Sequence, residues 1–330
     1  MIENMKLQQV QDVLNVNPVF ELAQDVTRGL GEKQKQLPSK YLYNTLGSQL
    51  FEAICELPWY KITRGEKRLL EQHGTDILAN WKSFNTVIEL GSGSGVKLSL
   101  LLGAVHKFDH LVHAHLVDIS STALELSKLT LSRHASVSIF PKKATYESGL
   151  RQALSDRNES GSVLVLFLGS NVSNLSPEDV NRLLQQIQSQ CHSGDRLLLG
   201  ADLVKPESEL LLAYDDPLGI TAAFNLNILA RLNYDLGADF KLNQFKHLVV
   251  WHKEHSRIEM YLESQIDQSV YMSATNSHIY FSKGERILTE NSYKYEPEEV
   301  IKMGEQVKFR LFQQWIDEDS KFALTLFERT

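Results

Sequence analysis

The sequence is poor in the features that mark several common classes of protein. Its 330 residues include two cysteines, Cys55 and Cys191, which lie far apart and form no CxxC pair. The sequence therefore predicts neither a disulfide framework nor a thiolate zinc site. No run approaches the ~18 apolar residues of a membrane span, and the first twenty residues hold no apolar signal region. We expect a protein of the reducing cytoplasm with no membrane partner.

An excess of basic charge is also missing. Lys and Arg total 34 against 41 Asp and Glu, which gives a net charge of -7 and no general attraction for nucleic acid. Hydrophobic residues make up 42% of the chain, enough for a real core, and no low-complexity linker divides it. The length predicts one large domain or two interleaved ones. A small-molecule or protein partner fits best; the sequence leaves the oligomeric state open, and a monomer is plausible.

Metal-binding patterns are sparse as well. The eleven histidines are accompanied by no HExxH helix and no cysteine partners. His113 and His115 stand two positions apart in an apolar stretch, so we expect them to share one face of a strand rather than to bind a metal.

A strand, a glycine loop and a helix follow one another near the end of the first quarter of the chain. The apolar run at 86–90 predicts a buried parallel strand, and it leads into Gly91, Gly93 and Gly95 before a leucine-rich helix. About two dozen residues later a second predicted strand ends at Asp118, where a carboxylate can accept hydrogen bonds from a ribose diol. The pair predicts a nucleotide-type site. The alternative is a tight turn with no ligand.

The glycine spacing distinguishes two classes of cofactor. A dinucleotide fingerprint requires a glycine three residues after Gly93, but that position is Val96. The pattern E-x-G-x-G-x-G from Glu89 to Gly95 instead resembles the first motif of class I methyltransferases that use S-adenosylmethionine. The glycines would let backbone approach the methionine part of that cofactor, and Lys97 could reach its carboxylate.

Further strands predict an α/β fold with a doubly wound, mostly parallel sheet. They lie near 134–143, 162–169 and 195–204, with a helix entered through Ser176 and Pro177 between the last two. At the C-terminus the sequence predicts a helix from Pro297 and an antiparallel hairpin. The segment between the sheet and this ending reads as an inserted α+β substrate layer, with which the N-terminal sixty residues would pack.

Several long segments resemble the histidine-specific α-N-methyltransferases of ergothioneine biosynthesis, from about Lys40 to the C-terminus. They are KYLYNTLGSQLFEAICELPWYKITRGE, FLGSNVSNLSP, GADLVKPESELLLAYDDPLGITAAFNLNILARLN, SRIEMYL and TENSYKY. The resemblance implies a methyltransferase domain at 64–204 and 293–330, and a substrate-recognition domain at 13–63 and 205–292.

The same resemblance implies roles for individual residues. Asn174 and Tyr214 match the residues that hold the substrate carboxylate, and Glu290 and Ser292 match those that read the imidazole. A carboxylate that accepts a ring N–H suits histidine, whereas an indole or phenyl ring would leave it unpaired. Tyr60 matches an aromatic residue that helps to read the imidazole. Tyr43 and Phe51 match residues that line the amine end and the cleft wall, and Tyr43 is the candidate proton acceptor. Gly169 and Met260 match positions that flank the substrate.

One cofactor position departs from the family. An Asp-aromatic pair usually follows the third strand and meets the adenine, whereas this chain has Thr145 and Tyr146. A hydroxyl accepts less strongly than a carboxylate, so the departure predicts weaker cofactor affinity or a shifted loop register.

Each of these residues also has a purely structural interpretation. Phe51 and Met260 could be core residues, Tyr214 an ordinary turn aromatic, and Glu290 part of a solvated turn. Asn174 or Ser176 could simply cap a helix. The functional assignments depend on the joint occurrence of these residues in the family order.

The resemblance implies three successive transfers of a methyl group from S-adenosylmethionine to the α-amine of L-histidine, which give the trimethyl betaine hercynine. Direct displacement needs no covalent enzyme intermediate, and most of the work is orientation. Two alternatives stay open. One is methylation of another amino acid or of a tryptophan derivative, or a different degree of histidine methylation. The other is a catalytically silent partner that binds the cofactor.

Overall fold

A computed structural model of the chain describes residues 18–78, 84–104, 111–157 and 161–330. The chain forms two compact units. The larger unit comprises Tyr43–Thr221, Val249–Glu259 and Asn291–Thr330, and the smaller comprises the described residues up to Leu42 with Ala222–Leu248 and Met260–Glu290. The assignment of cofactor binding and substrate recognition to separate domains stays a prediction. Residues 13–17 of the predicted recognition domain lie outside the described residues.

The larger unit is built on a seven-stranded sheet. Its strands are β1 (Phe84–Leu90), β2 (Val112–Asp118), β3 (Val137–Lys143), β4 (Ser162–Phe167), β5 (Arg196–Asp202), β11 (Phe309–Asp317) and β12 (Phe322–Arg329). Their spatial order is β11-β12-β5-β4-β1-β2-β3. The first five strands run parallel, and β12 pairs antiparallel with both β5 and β11. The predicted fold class, with its antiparallel C-terminal hairpin, is confirmed.

The sheet core follows from the apolar strands. Val87 of β1 lies between Ala114 of β2 and Leu164 of β4, and all three are fully buried. Strand β5 is buried along its whole length, as expected for a central strand covered on both faces.

Helices surround this sheet. Those of the larger unit are α2 (Thr45–Cys55), α3 (Ile62–Leu78), α4 (Val96–Gly103), α5 (Ser121–Leu131), α6 (Tyr146–Ser155), α7 (Pro177–Gln190), α8 (Glu207–Tyr214) and α10 (Pro297–Gln306). The predicted helix entries at Pro177 and Pro297 are confirmed. The hydroxyl of Ser176 accepts from the Asp179 N–H at 3.2 Å, and Glu296 and Glu299 form a capping box.

The segment that follows α8 adds helix α9 (Ile220–Leu236) and two small sheets, and helix α1 (Pro18–Gly31) comes from the N-terminal part of the chain. Strands β6 (Phe245–His252), β7 (Arg257–Ser264) and β10 (Arg286–Tyr293) form one sheet in the order β10-β7-β6, and β8 (Gln268–Met272) pairs with β9 (Ser277–Phe281). Within the smaller unit, the Leu37 N–H donates to the Leu288 carbonyl at 2.8 Å. This part of the N-terminal segment therefore packs with the insertion, as the sequence predicts.

The predicted strand face of His113 and His115 is also confirmed, since both rings lie against Phe140, at centroid distances of 5.5 and 5.0 Å. No helix in the described ranges is long and apolar enough to cross a bilayer. Cys55 and Cys191 are free thiols.

Candidate active site

Four chain segments bring polar groups to one edge of the large sheet. Strands β1, β2, β4 and β5 are parallel, so their carboxyl ends share this edge, where Gly91, Asp118, Gly169 and Asp202 lie. The order of strands reverses between β1 and β4. Such a switch point opens a crevice at the carboxyl ends, and ligands of doubly wound sheets bind there.

The glycine loop follows β1 and is tied to the end of β2. The Gly91 N–H donates to the Val117 carbonyl at 2.8 Å. The Gly93 N–H donates to Oδ2 of Asp118 at 3.1 Å, and the Ser120 N–H donates to Oδ1 of the same carboxylate at 2.8 Å. The predicted cofactor residues of both segments are thus brought together by hydrogen bonds that fix the Asp118 carboxylate.

The three loop glycines differ in what surrounds them. All have positive φ, a conformation that favours glycine. A Cβ at Gly91 would lie 2.3 Å from Nδ2 of Asn171, and one at Gly95 would lie 2.9 Å from Cα of Ser127. A Cβ at Gly93 (φ 51°) would meet no atom within 4 Å. Gly91 and Gly95 are therefore needed for packing, and Gly93 has an open side that a ligand can approach.

Lys97 lies in the first turn of α4 and is paired with a residue that the sequence did not reveal. Its ammonium is 2.8 Å from Oε2 of Glu66, whose side chain is fully buried. The Glu66 oxygens also accept from the Gly169 N–H at 2.8 and 3.0 Å. Glu66 therefore joins the helix after the glycine loop to the loop after β4, where Gly169 has φ +75°.

Glu89 opens the glycine motif from within β1. It is 1% exposed, and burial raises its pKa to about 8, although Lys97 acts in the opposite direction. Burial likewise raises the pKa of Asp118, against the backbone N–H groups that it accepts from. Carboxyl groups with raised pKa values at a crevice are typical of functional sites.

Thr145 and Tyr146, the predicted adenine contacts, lie at the start of α6. The Thr145 hydroxyl accepts from the Ser148 N–H at 3.4 Å and so caps the helix. Tyr146 packs edge to face on Phe167, with ring centroids 5.2 Å apart, and its ring lies beside Gly91. The structure thus brings Tyr146 to the glycine loop; adenine recognition by Thr145 stays a prediction.

Four aromatic residues of the predicted substrate set form one series of ring contacts. Tyr43 meets Phe51 at 5.5 Å, Phe51 meets Tyr60 at 6.4 Å, and Tyr60 meets Tyr214 at 6.3 Å, each edge to face. Tyr60 and Tyr214 are buried, whereas Tyr43 and Phe51 are partly exposed. Burial raises the pKa of the Tyr60 hydroxyl, so this group stays protonated at neutral pH.

The series ends in a buried polar cluster. The Tyr214 hydroxyl is 2.7 Å from Oγ of Ser292, and the Lys294 ammonium lies 2.8 Å from both oxygens. Lys294 is also 3.0 Å from Oδ2 of Asp202, and the other oxygen of Asp202 binds Lys205 at 2.5 Å. Tyr214 is thus the buried end of α8, and its interpretation as an ordinary turn aromatic is wrong.

The remaining predicted residues fall into place separately. Glu290 and Ser292 lie two positions apart on β10, so they share a face of that strand, and both are buried. The solvated-turn interpretation of Glu290 is therefore wrong. Met260 is buried on β7, where its carbonyl accepts from the Thr289 hydroxyl at 3.0 Å. Asn174 ends a single 3-10 turn after β4 and leaves the capping of α7 to Ser176.

Sequence reasoning missed Glu66, Lys294 and Asp202. Glu66 belongs to a helix with no motif of its own. Lys294 follows Glu290 and Ser292 at alternate positions, and this period of two is the signal that would have placed its side chain with theirs.

These features define a class I methyltransferase. The sheet order is that of this class, and the residues fit its methyl donor: Gly93 offers an open cradle, Asp118 a fixed carboxylate, and Tyr146 a ring beside the loop. Within the described residues, no group of His, Cys, Asp or Glu side chains is arranged to hold a metal ion.

Comparison with known proteins defines the family more closely. Residues 22–329 match the model of the histidine-specific, S-adenosylmethionine-dependent methyltransferases. The histidine N-alpha-methyltransferase of Mycolicibacterium smegmatis is 36% identical over 306 residues, which cover 92% of this chain and 94% of that protein. The protein of the same name from Mycobacterium tuberculosis is 35% identical, with the same coverage.

Among solved structures, the 1,6-didemethyltoxoflavin-N1-methyltransferase of Burkholderia thailandensis aligns over 91% of this chain and 93% of its own, with a TM-score of 0.45 and 8% identity.

The chain belongs to the family of histidine-specific methyltransferases that depend on S-adenosylmethionine. The predicted enzyme class and methyl donor are confirmed.

Proposed function

We propose that this enzyme methylates the α-amino group of L-histidine, three times in succession, to give the trimethyl betaine hercynine. We further propose that the product enters ergothioneine biosynthesis and that the enzyme works in the cytoplasm. The relatives named histidine N-alpha-methyltransferase support histidine as the substrate and its α-amino group as the methylated position. A relative from Neurospora crassa named ergothioneine biosynthesis protein 1, 27% identical over 309 residues, supports the place of the product in ergothioneine biosynthesis.

One observation carries the choice of substrate. Tyr214 was predicted to bind a carboxylate and Ser292 an imidazole, from segments 78 positions apart, and their hydroxyl oxygens are 2.7 Å apart. The carboxylate and the ring of histidine are separated by only a few bonds, so a site for this amino acid needs the two groups side by side. Glu290, on the same strand face as Ser292, then accepts the ring N–H.

The remaining residues orient the amine. Asn174 would share the carboxylate with Tyr214, while Phe51 and Tyr60 form the aromatic wall that joins Tyr43 to Tyr214. S-Adenosylmethionine supplies an activated methyl group on a sulfonium, so the enzyme mainly has to hold the amine in line.

The amine attacks only when it is neutral, so a proton must leave before each transfer. Tyr43 is partly exposed at the outer end of the aromatic series. We propose that its hydroxyl relays this proton: the oxygen accepts the proton through water, and the hydroxyl passes its own proton on to bulk water. The tyrosine rings also suit the growing quaternary ammonium, because cations bind favourably over aromatic faces.

The competing hypothesis is methylation of tryptophan or a derivative. The 4-dimethylallyltryptophan N-methyltransferase of Claviceps purpurea is 25% identical over 317 residues, so the fold tolerates such a substrate. An indole can donate its one ring N–H to Glu290, but it has no second ring nitrogen to accept from the Ser292 hydroxyl. The buried pair of Glu290 and Ser292 therefore favours histidine.

Replacement of Glu290 tests this assignment. Glu290→Ala should raise KM for histidine by about 10- to 100-fold, since an unpaired ring nitrogen costs about 1–3 kcal/mol, and should leave the affinity for S-adenosylmethionine unchanged. The exposed Glu298, substituted in the same way, is the control and should keep the parent's KM. Parental KM for histidine in the Glu290 variant would show that the recognition scheme is wrong.

A further inference from the structure

Lys294 is a buried cation with no role assigned so far in binding the cofactor or the substrate. It is 1% exposed, and its ammonium has three hydrogen-bond contacts, to the Tyr214 hydroxyl, the Ser292 hydroxyl and Asp202. Burial by itself lowers the pKa of this ammonium, but Tyr214 and Asp202 raise it overall. The group is therefore charged at neutral pH.

The direction of these hydrogen bonds matters. An ammonium has only donors, so both hydroxyl oxygens accept from Lys294. Each hydroxyl proton is then directed to another acceptor, either the neighbouring hydroxyl oxygen or a substrate atom. When histidine binds, the Tyr214 proton can turn to a carboxylate oxygen and the Ser292 proton to the unprotonated ring nitrogen.

The charge of the cluster supports the same conclusion. The described contacts join two ammonium groups, Lys294 and Lys205, to the single carboxylate of Asp202. The side chains of all three are at most 8% exposed. A buried excess of positive charge is unfavourable unless an anion compensates it, and the α-carboxylate of an amino acid is such an anion.

We infer that Lys294 is a positioning residue that determines specificity for the substrate carboxylate, because it holds the Tyr214 and Ser292 hydroxyls as donors. This inference rests on the proposed histidine substrate. The inference adds to the proposed site a cation that contacts both hydroxyl oxygens. It also predicts that an imidazole amine without a carboxylate is a poor substrate.

The experiment compares L-histidine with histamine, which lacks only the carboxylate. In the parent, kcat/KM for histidine should exceed that for histamine by about 100-fold or more, because histamine leaves the buried partners of the carboxylate unpaired. Lys294→Met should reduce this ratio at least tenfold, mainly through KM for histidine, with an unchanged Kd for S-adenosylmethionine. Lys302→Met, on the exposed side of α10, is the matched control and should keep the ratio.

Lys294→Gln, which keeps neutral N–H donors, is a second variant and should retain more of the ratio than Lys294→Met. An unchanged ratio in the folded Lys294→Met variant would overturn the inference. So would a parent that binds histamine as tightly as histidine by calorimetry, a measurement that needs no variant. A parent that methylates no histidine would instead overturn the proposed function.

Discussion

Gly93 is the loop glycine whose missing side chain is not explained by packing within the protein. A Cβ at Gly91 or Gly95 would collide with neighbouring atoms, whereas one at Gly93 would enter open space. The family motif therefore combines two requirements: close packing of the loop at its ends, and backbone access for a ligand in the middle. The sequence showed the three glycines but could not separate these roles, because they depend on neighbours distant in the chain.

Gly93→Ala should therefore separate cofactor binding from stability. The variant should fold, with a cost of about 1–2 kcal/mol for an alanine at positive φ, and bind S-adenosylmethionine at least tenfold more weakly by calorimetry. Gly194 also has positive φ (+87°) and open space, so Gly194→Ala should carry the same strain and keep the parent's affinity. Equal affinities in the two variants would remove Gly93 from the cofactor site.

Glu89 provides a pH-dependent signature of the same region. Its pKa is about 8 in the folded chain against 4.5 for the free group, because it is buried. Between these values the folded state holds the proton more tightly than the unfolded state. Stability should therefore fall as pH rises through this window, by at most about 1.4 kcal/mol per pH unit from this group.

Glu89→Gln removes this titration. Denaturant unfolding of the cofactor-free protein should show the variant gaining stability relative to the parent between about pH 6 and about pH 8, by up to about 2.7 kcal/mol. Parallel stability curves would mean that Glu89 is already ionised in the folded protein.

At the scale of elements, apolar periodicity predicted the sheet well, and polar segments were harder. Strands β1, β2, β4, β5 and β12 were expected because they are largely buried apolar runs. Strands β3 and β11, at the two edges of the sheet, were also expected, although most of their residues are partly or fully exposed. Strand β10 was not, since its sequence, RILTENSY, mixes buried polar residues into a strand and resembles a turn. Thr289, Glu290 and Ser292 are buried although they are polar, and hydrophobic patterning cannot reveal such a strand.

The loop between β4 and α7 allows a substrate role to be separated from a capping role. Ser176 caps the helix and Asn174 does not. Ser176→Ala should lower the free energy of unfolding by about 1 kcal/mol and leave KM for histidine unchanged. Asn174→Ala should do the reverse, with unfolding near the parental value and a raised KM for histidine. If Asn174→Ala changed stability alone, its assignment to the substrate carboxylate would be wrong.

At the scale of the whole molecule, the sequence predicted two interleaved domains, and the two compact units of the structure have different boundaries from those domains. Every predicted cofactor residue belongs to the larger unit, but so do Tyr43, Tyr60, Tyr214 and Ser292. Met260 and Glu290 belong to the smaller unit. Contacts between distant segments set these boundaries, and a linear pattern does not contain them. The family resemblance predicted the candidate site residues. The ion pairs Lys97–Glu66 and Lys294–Asp202, which contact some of them, were found only in the structure.

The central claim is tested most directly by product analysis. The purified enzyme is incubated with S-adenosylmethionine and each common amino acid in turn, and the products are resolved by mass spectrometry. We predict that histidine alone gives a ladder of one, two and three added methyl groups, with fragmentation placing all of them on the α-nitrogen. Equal methylation of tryptophan and histidine, or methyl groups on the imidazole ring, would contradict the account.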